Sequence, residues 1–248
     1  MNGSPPSTVK SAMRTIDILE YVVARPAGVV AQEISAGLAI PVSSLSYLLA
    51  TLAERDYLAR DGRRYLPGAA LERLRAPRGS LSLADRVRPL VKSLRFQTNE
   101  TASFFVRNGW ELEAIATETA EQSLRYSISV GTRTPMHCLA AGKAILAWLS
   151  DEQLAHYFQQ GPREAFTPSS ITDETALRAE LAEIRRTGIG RTREEYTPGI
   201  HGLGMAVVVD GQAVGAFAVA IPTPRLNGDL EAHAVAKLQE AVGLFTTA

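Results

Sequence analysis

The stretch Val30–Leu66 constrains this chain more than any other. Ala31-Gln32-Glu33-Ile34-Ser35-Ala36-Gly37 has the length of two helical turns closed by glycine. Leu38 and Ile40 are apolar plugs in a short connector. Pro41 suits the first position of a second helix, where its missing N–H costs nothing. Leu45, Leu48, Leu49 and Leu52 then recur at spacings of three and four, which makes one buried stripe. Asp61-Gly62 separates two short extended runs, Leu58-Ala59-Arg60 and Arg63-Arg64-Tyr65-Leu66-Pro67, and signals a hairpin. Two helices, a tight connector and a hairpin form the grammar of a winged helix-turn-helix, whose second helix lies in the DNA major groove.

That grammar assigns roles to the outward residues. On the second helix Ser43, Ser44, Ser46 and Tyr47 lie off the leucine stripe near the amino-terminal end, where side chains reach base edges and phosphates. Serines at a helix start are also common caps, and for Ser43 or Ser44 alone either role fits. Arg60, Arg63 and Arg64 surround the hairpin tip, and an arginine-rich wing suits phosphate or minor-groove contact. Charge follows the same division. Residues 1–98 hold 14 Lys+Arg against 8 Asp+Glu, whereas residues 99–248 hold 12 against 18. A basic end joined to an acidic body fits one domain that meets phosphate and one that does not.

The rest of the first third reads as support. Residues 1–8 are polar with two prolines and predict a flexible tail. From Val9 the pattern is helical, with Met13, Ile16, Leu19, Tyr21, Val22 and Val23 as its apolar side and Arg25-Pro26 as its end. A winged helix-turn-helix over residues 9–78 and a linker helix over residues 79–98 follow, capped by Ser80 or Ser82. Leu83, Val87, Leu90, Val91 and Leu94 give the linker an apolar side that fits either a dimer seam or packing on the chain's own second domain.

Residues 99–248 predict strands in two groups with helices between them. The strands are Ser103–Arg107 and Glu111–Thr117 around Asn108-Gly109, Tyr126–Val130, Ile189–Arg193, Gly204–Val209, and Ala213–Ile221 after Asp210-Gly211. Helices are expected over 135–149 (opening at His137-Cys138), Asp151–Phe158, Ala176–Arg186 and Leu226–Leu244. The expected class is α+β, an antiparallel sheet covered by helices.

Several chemistries lack their residues. Ala141-Gly142-Lys143-Ala144 has no earlier glycine at P-loop spacing and no Ser/Thr after the lysine. His137, His156, His201 and His233 show no metal-ligand spacing, and no Gly-x-Ser-x-Gly elbow is present, so neither metal nor cofactor is expected. The single cysteine, Cys138, excludes an intrachain disulfide framework and fits a reducing compartment. With no window of eighteen uncharged apolar residues and no signal-like core at the start, the expected location is the cytoplasm, with no membrane partner. An alternative reading makes the second domain a small-molecule binding or catalytic unit centred on Cys138, its winged helix serving protein contacts.

The motifs together resemble one family. Thr15-Ile16-Asp17-Ile18-Leu19, Glu33-Ile34, Pro41-Val42-Ser43-Ser44-Leu45, Leu48-Leu49-Ala50-Thr51-Leu52 and the Tyr57-Leu58 to Tyr65-Leu66 hairpin are similar to the winged helix of IclR-family transcriptional regulators. So are Gly131-Thr132-Arg133-Thr134-Pro135-Met136-His137, Ala141-Gly142-Lys143-Ala144, Ile171-Thr172-Asp173, Arg185-Arg186-Thr187-Gly188, Glu194-Glu195-Tyr196, Gly199-Ile200 and Pro222. The family commonly has a lysine after the helix-opening proline and an arginine before the paired leucines, where this chain has Val42 and Tyr47. The resemblance implies a GAF/profilin-like effector domain over residues 99–248, no enzymatic activity, a homodimer or homotetramer, double-stranded operator DNA as partner, and a small-molecule effector. It places effector contacts at Ala140, Ala141, Thr192, Gly202, Ala218 and Ala220, with one hydroxyl among the last four. Met136, Cys138, Leu139, Phe104 and Phe217 are further candidate lining. Such a pocket predicts a largely apolar, aromatic ligand, with a carboxylate met by the free N–H groups at the helix opening.

Overall fold

A computed structural model describes residues 9–75, 81–161 and 163–247. The expected tail over residues 1–8 and the start of the linker at residues 79–80 lie outside the described residues. The chain divides into two compact units, Met1–Leu81 and Ser82–Ala248.

The first unit contains α1 (Lys10–Val23), β1 (Val29–Val30), α2 (Ala31–Leu38), α3 (Val42–Glu54), β2 (Leu58–Asp61), β3 (Arg64–Pro67) and α4 (Ala69–Arg75). Ile34, Ile40, Leu45, Leu49, Leu52 and Leu58 converge with Ile18, Val22 and Val29 in one core. The chain bends by 119° between α2 and α3, as a helix-turn-helix requires. α2 begins where the Glu33 carboxylate accepts the Val30 N–H at 2.9 Å.

Its end differs from expectation. Ala39, with φ 51°, takes the left-handed closing position, and Gly37 lies within the helix. Gly37 is required for another reason: a Cβ there would sit 2.5 Å from the Tyr21 ring. α1 also turns differently. It buries Ile18 and Val22, while Met13, Ile16 and Val23 of the expected apolar side are exposed. The wing has a third strand, in the order β1-β3-β2. Asp61 pairs with Arg64, so the two-residue loop is Gly62-Arg63, with Gly62 at φ 57°.

The second unit begins with α5 (Leu83–Thr98), capped by Ser82, whose hydroxyl accepts the Asp85 N–H at 3.2 Å. Then come β4 (Thr101–Asn108), β5 (Glu111–Glu118), β6 (Arg133–Pro135), α6 (Ala140–Leu146), α7 (Asp151–Gln159), α8 (Glu174–Thr187), β7 (Gly190–Arg193), β8 (Ile200–Val209), β9 (Gln212–Pro222) and α9 (Gly228–Thr246). The sheet order is β6-β5-β4-β9-β8-β7, antiparallel throughout, so the fold is α+β. The expected strand at Tyr126–Val130 is absent; the edge strand is β6, after Gly131 (φ 85°) donates its N–H to the Ala114 carbonyl. His137 and Cys138 precede α6 rather than open it.

Each sheet face has its own core. Val87, Val91 and Leu94 of α5 and Leu238 and Phe245 of α9 pack on Phe104, Phe217, Val219 and Ile221. Val87, Val91 and Leu94 of the linker helix's apolar side are therefore buried within its own unit, with Leu83 and Leu90 only partly so. The other face carries α6, α7 and α8 over Phe105, Ala114, Ala206 and Ala216.

α6 lies unusually close to the sheet because glycines stand beneath it. A Cβ on Gly204 would fall 2.5 Å from the Ala140 carbonyl carbon, and one on Gly190 2.5 Å from the Ala140 oxygen. Lys143 of α6 is fully buried, its Nζ 2.8 and 2.7 Å from the two Glu195 carboxylate oxygens and also paired with Glu180. Desolvation pushes the Glu195 carboxyl up, opposed by the Lys143 charge.

Two outcomes follow for stability. Gly204→Ala must displace backbone and should destabilise by about 2 kcal/mol, while Gly243→Ala in α9, with open space around it, should stabilise by roughly 0.5 kcal/mol; urea midpoints of the two variants check the contrast. Lys143→Met strands a buried carboxylate and should cost roughly 3 kcal/mol, with Glu195→Gln in the same background recovering part of it.

Candidate functional sites

The first unit presents α3 and the wing. Leu45, Leu49 and Leu52 turn inward, leaving Val42, Ser43, Ser46 and Tyr47 exposed and Ser44 half-buried. Tyr47 is 78% exposed, which leaves its ring and hydroxyl available to a partner. Ser46 donates to the Ser43 carbonyl at 2.9 Å, so its proton serves the helix while its lone pairs face outward. α3 carries no charged side chain before Glu54. Cationic groups come from the wing. Arg63 is exposed at the tip. Arg60 donates through Nε to the Gly62 carbonyl at 3.0 Å, its guanidinium 6.0 Å from the Tyr65 ring centre. Arg64 donates to the Gly28 carbonyl at 2.8 Å, tying the wing to the turn before β1. Of the three arginines, Arg60 and Arg64 therefore have structural duties as well.

The second unit holds a small cavity of about 50 Å³ between α6 and the sheet. Cys138, Leu139, Ala140 and Ala141 cover it from the α6 side, and Thr192, Gly202, Ala218 and Ala220 come from β7, β8 and β9. The amino terminus of α6 has no side-chain cap; its N-cap position is Leu139. Thr192 is 6% exposed and stands across from Gly202, where a Cβ would lie 2.5 Å from Thr192 Oγ1.

Three expected lining residues are elsewhere. Phe104 and Phe217 point to the opposite sheet face, ring centres 4.7 Å apart, in the core under α5 and α9. Successive strand residues face opposite ways, so Phe217 cannot share a face with Ala218 and Ala220. Met136 is fully buried in the core around α6, its carbonyl against Gly142, and does not reach the cavity.

Other residues line the cavity in addition: Thr101, Ser103 and Phe105 of β4, then Tyr126, Tyr196, Thr197 and Ile200. The β4 residues follow from alternation once Thr101 is paired with Ala220 and Ser103 with Ala218. The signal was available in the strand period, although the register that makes it usable was not. Tyr126 and Tyr196 come from irregular segments, and Tyr126 reaches the Thr197 side chain. Burial raises the phenol of Tyr126 above its ordinary range, with Tyr196 nearby adding to the shift.

The cavity is poorly equipped for catalysis. Burial, reinforced by the nearby Glu195 charge, pushes the Cys138 thiol up to about 12. A thiol in that state is a small apolar wall rather than a nucleophile. His137 holds its Nε2 2.9 Å from the Glu164 carbonyl and is not among the lining residues. His201 alternates with Gly202 and faces away. Among the described residues no His, Cys, Asp and Glu cluster could hold a metal ion.

Comparison with known proteins agrees with this architecture. Residues 11–62 match the IclR helix-turn-helix domain, and residues 78–244 match the bacterial transcriptional regulator IclR C-terminal domain. The chain is 31% identical over 213 residues to the HTH-type transcriptional regulator Rv1719 of Mycobacterium tuberculosis, covering 85% of this chain and 81% of that protein. It is 29% identical over 223 residues to the HTH-type transcriptional repressor AllR of Escherichia coli K12, covering 87% and 81%. A solved IclR homologue from Microbacterium hydrocarbonoxydans, complexed with 4-hydroxybenzoate, superposes with a TM-score of 0.60 at 21% identity, covering 96% of this chain and 98% of that one. The protein belongs to the IclR family of bacterial transcriptional regulators.

Proposed function

We propose that this regulator binds double-stranded operator DNA through α3 and the wing, as a homodimer or homotetramer in the cytoplasm, and that a small molecule in the α6 cavity changes its DNA affinity or oligomeric state. The observation that carries the reading is the pairing of an exposed polar α3 surface with a largely apolar cavity in a separate unit. Ser43, Ser44, Ser46 and Tyr47 read the groove, and Arg60, Arg63 and Arg64 supply phosphate or minor-groove contact. Because α3 has no cation, much of the affinity falls to the wing and to a second subunit on a second half-site. Among the described residues, no single helix is long and apolar enough to cross a membrane.

The effector in this reading is an aromatic or carboxylate-bearing catabolite. Ala218, Ala220 and Gly202 present no polar side chain, and Phe105, Leu139 and Ile200 add apolar wall. Cys138, Leu139, Ala140, Ala141 and Thr192 complete its contacts, and the uncapped start of α6 offers N–H donors to a carboxylate. The solved homologue complexed with 4-hydroxybenzoate lends weight to an aromatic acid.

A mobility-shift assay on the intergenic DNA beside its own gene, with and without aromatic acids, tests the whole reading. A shift that no aromatic acid alters would remove the effector half of it. Arg63→Ala is the cleanest probe of the wing, since Arg64 also supports Gly28. It should weaken operator binding and reduce the slope of log affinity against log salt by about 0.9. Cys138 has no chemical role here. In the native protein at pH 8 it should resist alkylation by iodoacetamide and react only after denaturation; rapid labelling would revive a reactive thiol.

A further inference from the structure

Across the sheet from α6, the cavity wall is β4. Glycines of β7 and β8 lie under the start of α6, Ala218 and Ala220 of β9 form the floor, and Thr101, Ser103 and Phe105 of β4 stand beyond them. From β8 to β4 is two strand spacings, roughly 10 Å. The β4 wall therefore stands at the far end of the floor from the start of α6.

We propose that the β4 wall is a recognition site for an uncharged hydroxyl group, with Ser103 as the residue that determines specificity. The proposal rests on the cavity being the effector site and narrows its ligand to a hydroxylated aromatic ring. It excludes one that carries a second carboxylate.

The chemistry of the wall carries this. None of the residues lining the cavity is charged. Lys143, one turn into α6, is held by Glu195 and Glu180 and is not part of the lining. A carboxylate placed against β4 would lose its water without gaining a cation, which is strongly unfavourable. A neutral hydroxyl loses far less and finds a matched partner. Ser103 is 4% exposed, and its Oγ lies 3.0 Å from Thr117 Oγ1, with either atom able to donate. Two hydroxyls that share one hydrogen bond retain one proton and several lone pairs between them. Ser103 can therefore accept from a phenol or donate to it, as the ligand requires. Thr101 is less free: it donates to the Tyr126 carbonyl at 2.6 Å and accepts from the Ala120 N–H at 3.0 Å. Ser103 pairs directly with Ala218 across β4 and β9, so the methyl group of Ala218 is its neighbour along the floor.

Titration calorimetry of the full chain and of Ser103→Ala, with benzoate, 3-hydroxybenzoate, 4-hydroxybenzoate and terephthalate, tests the assignment. At least one hydroxybenzoate should bind the native chain about tenfold more tightly than benzoate. Ser103→Ala should erase that preference, so that hydroxybenzoate and benzoate bind the variant alike, and an unchanged circular-dichroism spectrum reports that the fold is intact. Terephthalate should bind at least tenfold more weakly than benzoate. Equal affinity for benzoate and both hydroxybenzoates, equal weakening of all ligands by Ser103→Ala, or tight terephthalate binding would each overturn the proposal while leaving an aromatic effector standing. Failure of all four compounds to bind would overturn this proposal and the aromatic reading together.

Discussion

The close seating of α6 on the sheet is the constraint on which the second unit depends. Gly190, Gly202 and Gly204 let the start of the helix approach within backbone contact, and Gly142 gives the same clearance on the side of Met136. A glycine in a strand weakens it, since it packs nothing and loses more freedom on folding. Here three of them lie under one short helix, so their cost is offset by the contact they permit. That contact decides where the cavity can be. The sheet beneath the helix is filled by backbone, and open space begins where β9 and β4 carry small side chains instead.

Lys143 ties the seated helix to the chain around it. A fully buried ammonium on a seven-residue helix is stable only with its carboxylates in place. Glu195 belongs to the segment after β7, and Thr167 and Ser170 donate to the Glu194 and Glu195 carbonyls at 2.6 Å each. Tyr196 and Thr197 follow immediately and line the cavity. One ion cluster thus fixes both the helix over the cavity and the loop at its edge. Among the described residues no charged side chain lines the cavity, so in the proposed function recognition there falls to shape, hydroxyls and backbone groups.

How much of this was legible in the sequence depended on the period of each signal. The helix pair and the wing were readable because their stripes and turns are local: Leu45, Leu49 and Leu52 bury as their spacing implies, and Asp210-Gly211 takes positive φ at both residues between β8 and β9. α1 was misread because apolar residues surround it, and its spacing alone could not choose between Met13-Ile16 and Ile18-Val22. Gly37 was misread because its partner, Tyr21, is sixteen residues away and no local rule links them. Tyr126–Val130 has the composition of a strand, but the Gly131 turn binds the chain to Ala114 before pairing can start there.

The cavity shows the sharper limit. Ala218 and Ala220 were identified as neighbours on one face, yet Phe217 was placed beside them, which strand alternation forbids. The alternation is visible in the sequence, but the apolar side chains of Phe104 and Phe217 suggest walls only so long as neither is assigned to a sheet face. Their actual role, an edge-to-face pair under α5 and α9, is to fix the opposite face of the same two strands. Phe105, one residue on from Phe104, faces the cavity side. Adjacent phenylalanines therefore pack β4 from both sides, and Ser103 precedes them on the same strand. In the proposed site its hydroxyl sits on a strand packed on both faces, so selectivity there rests on what a ligand presents to it.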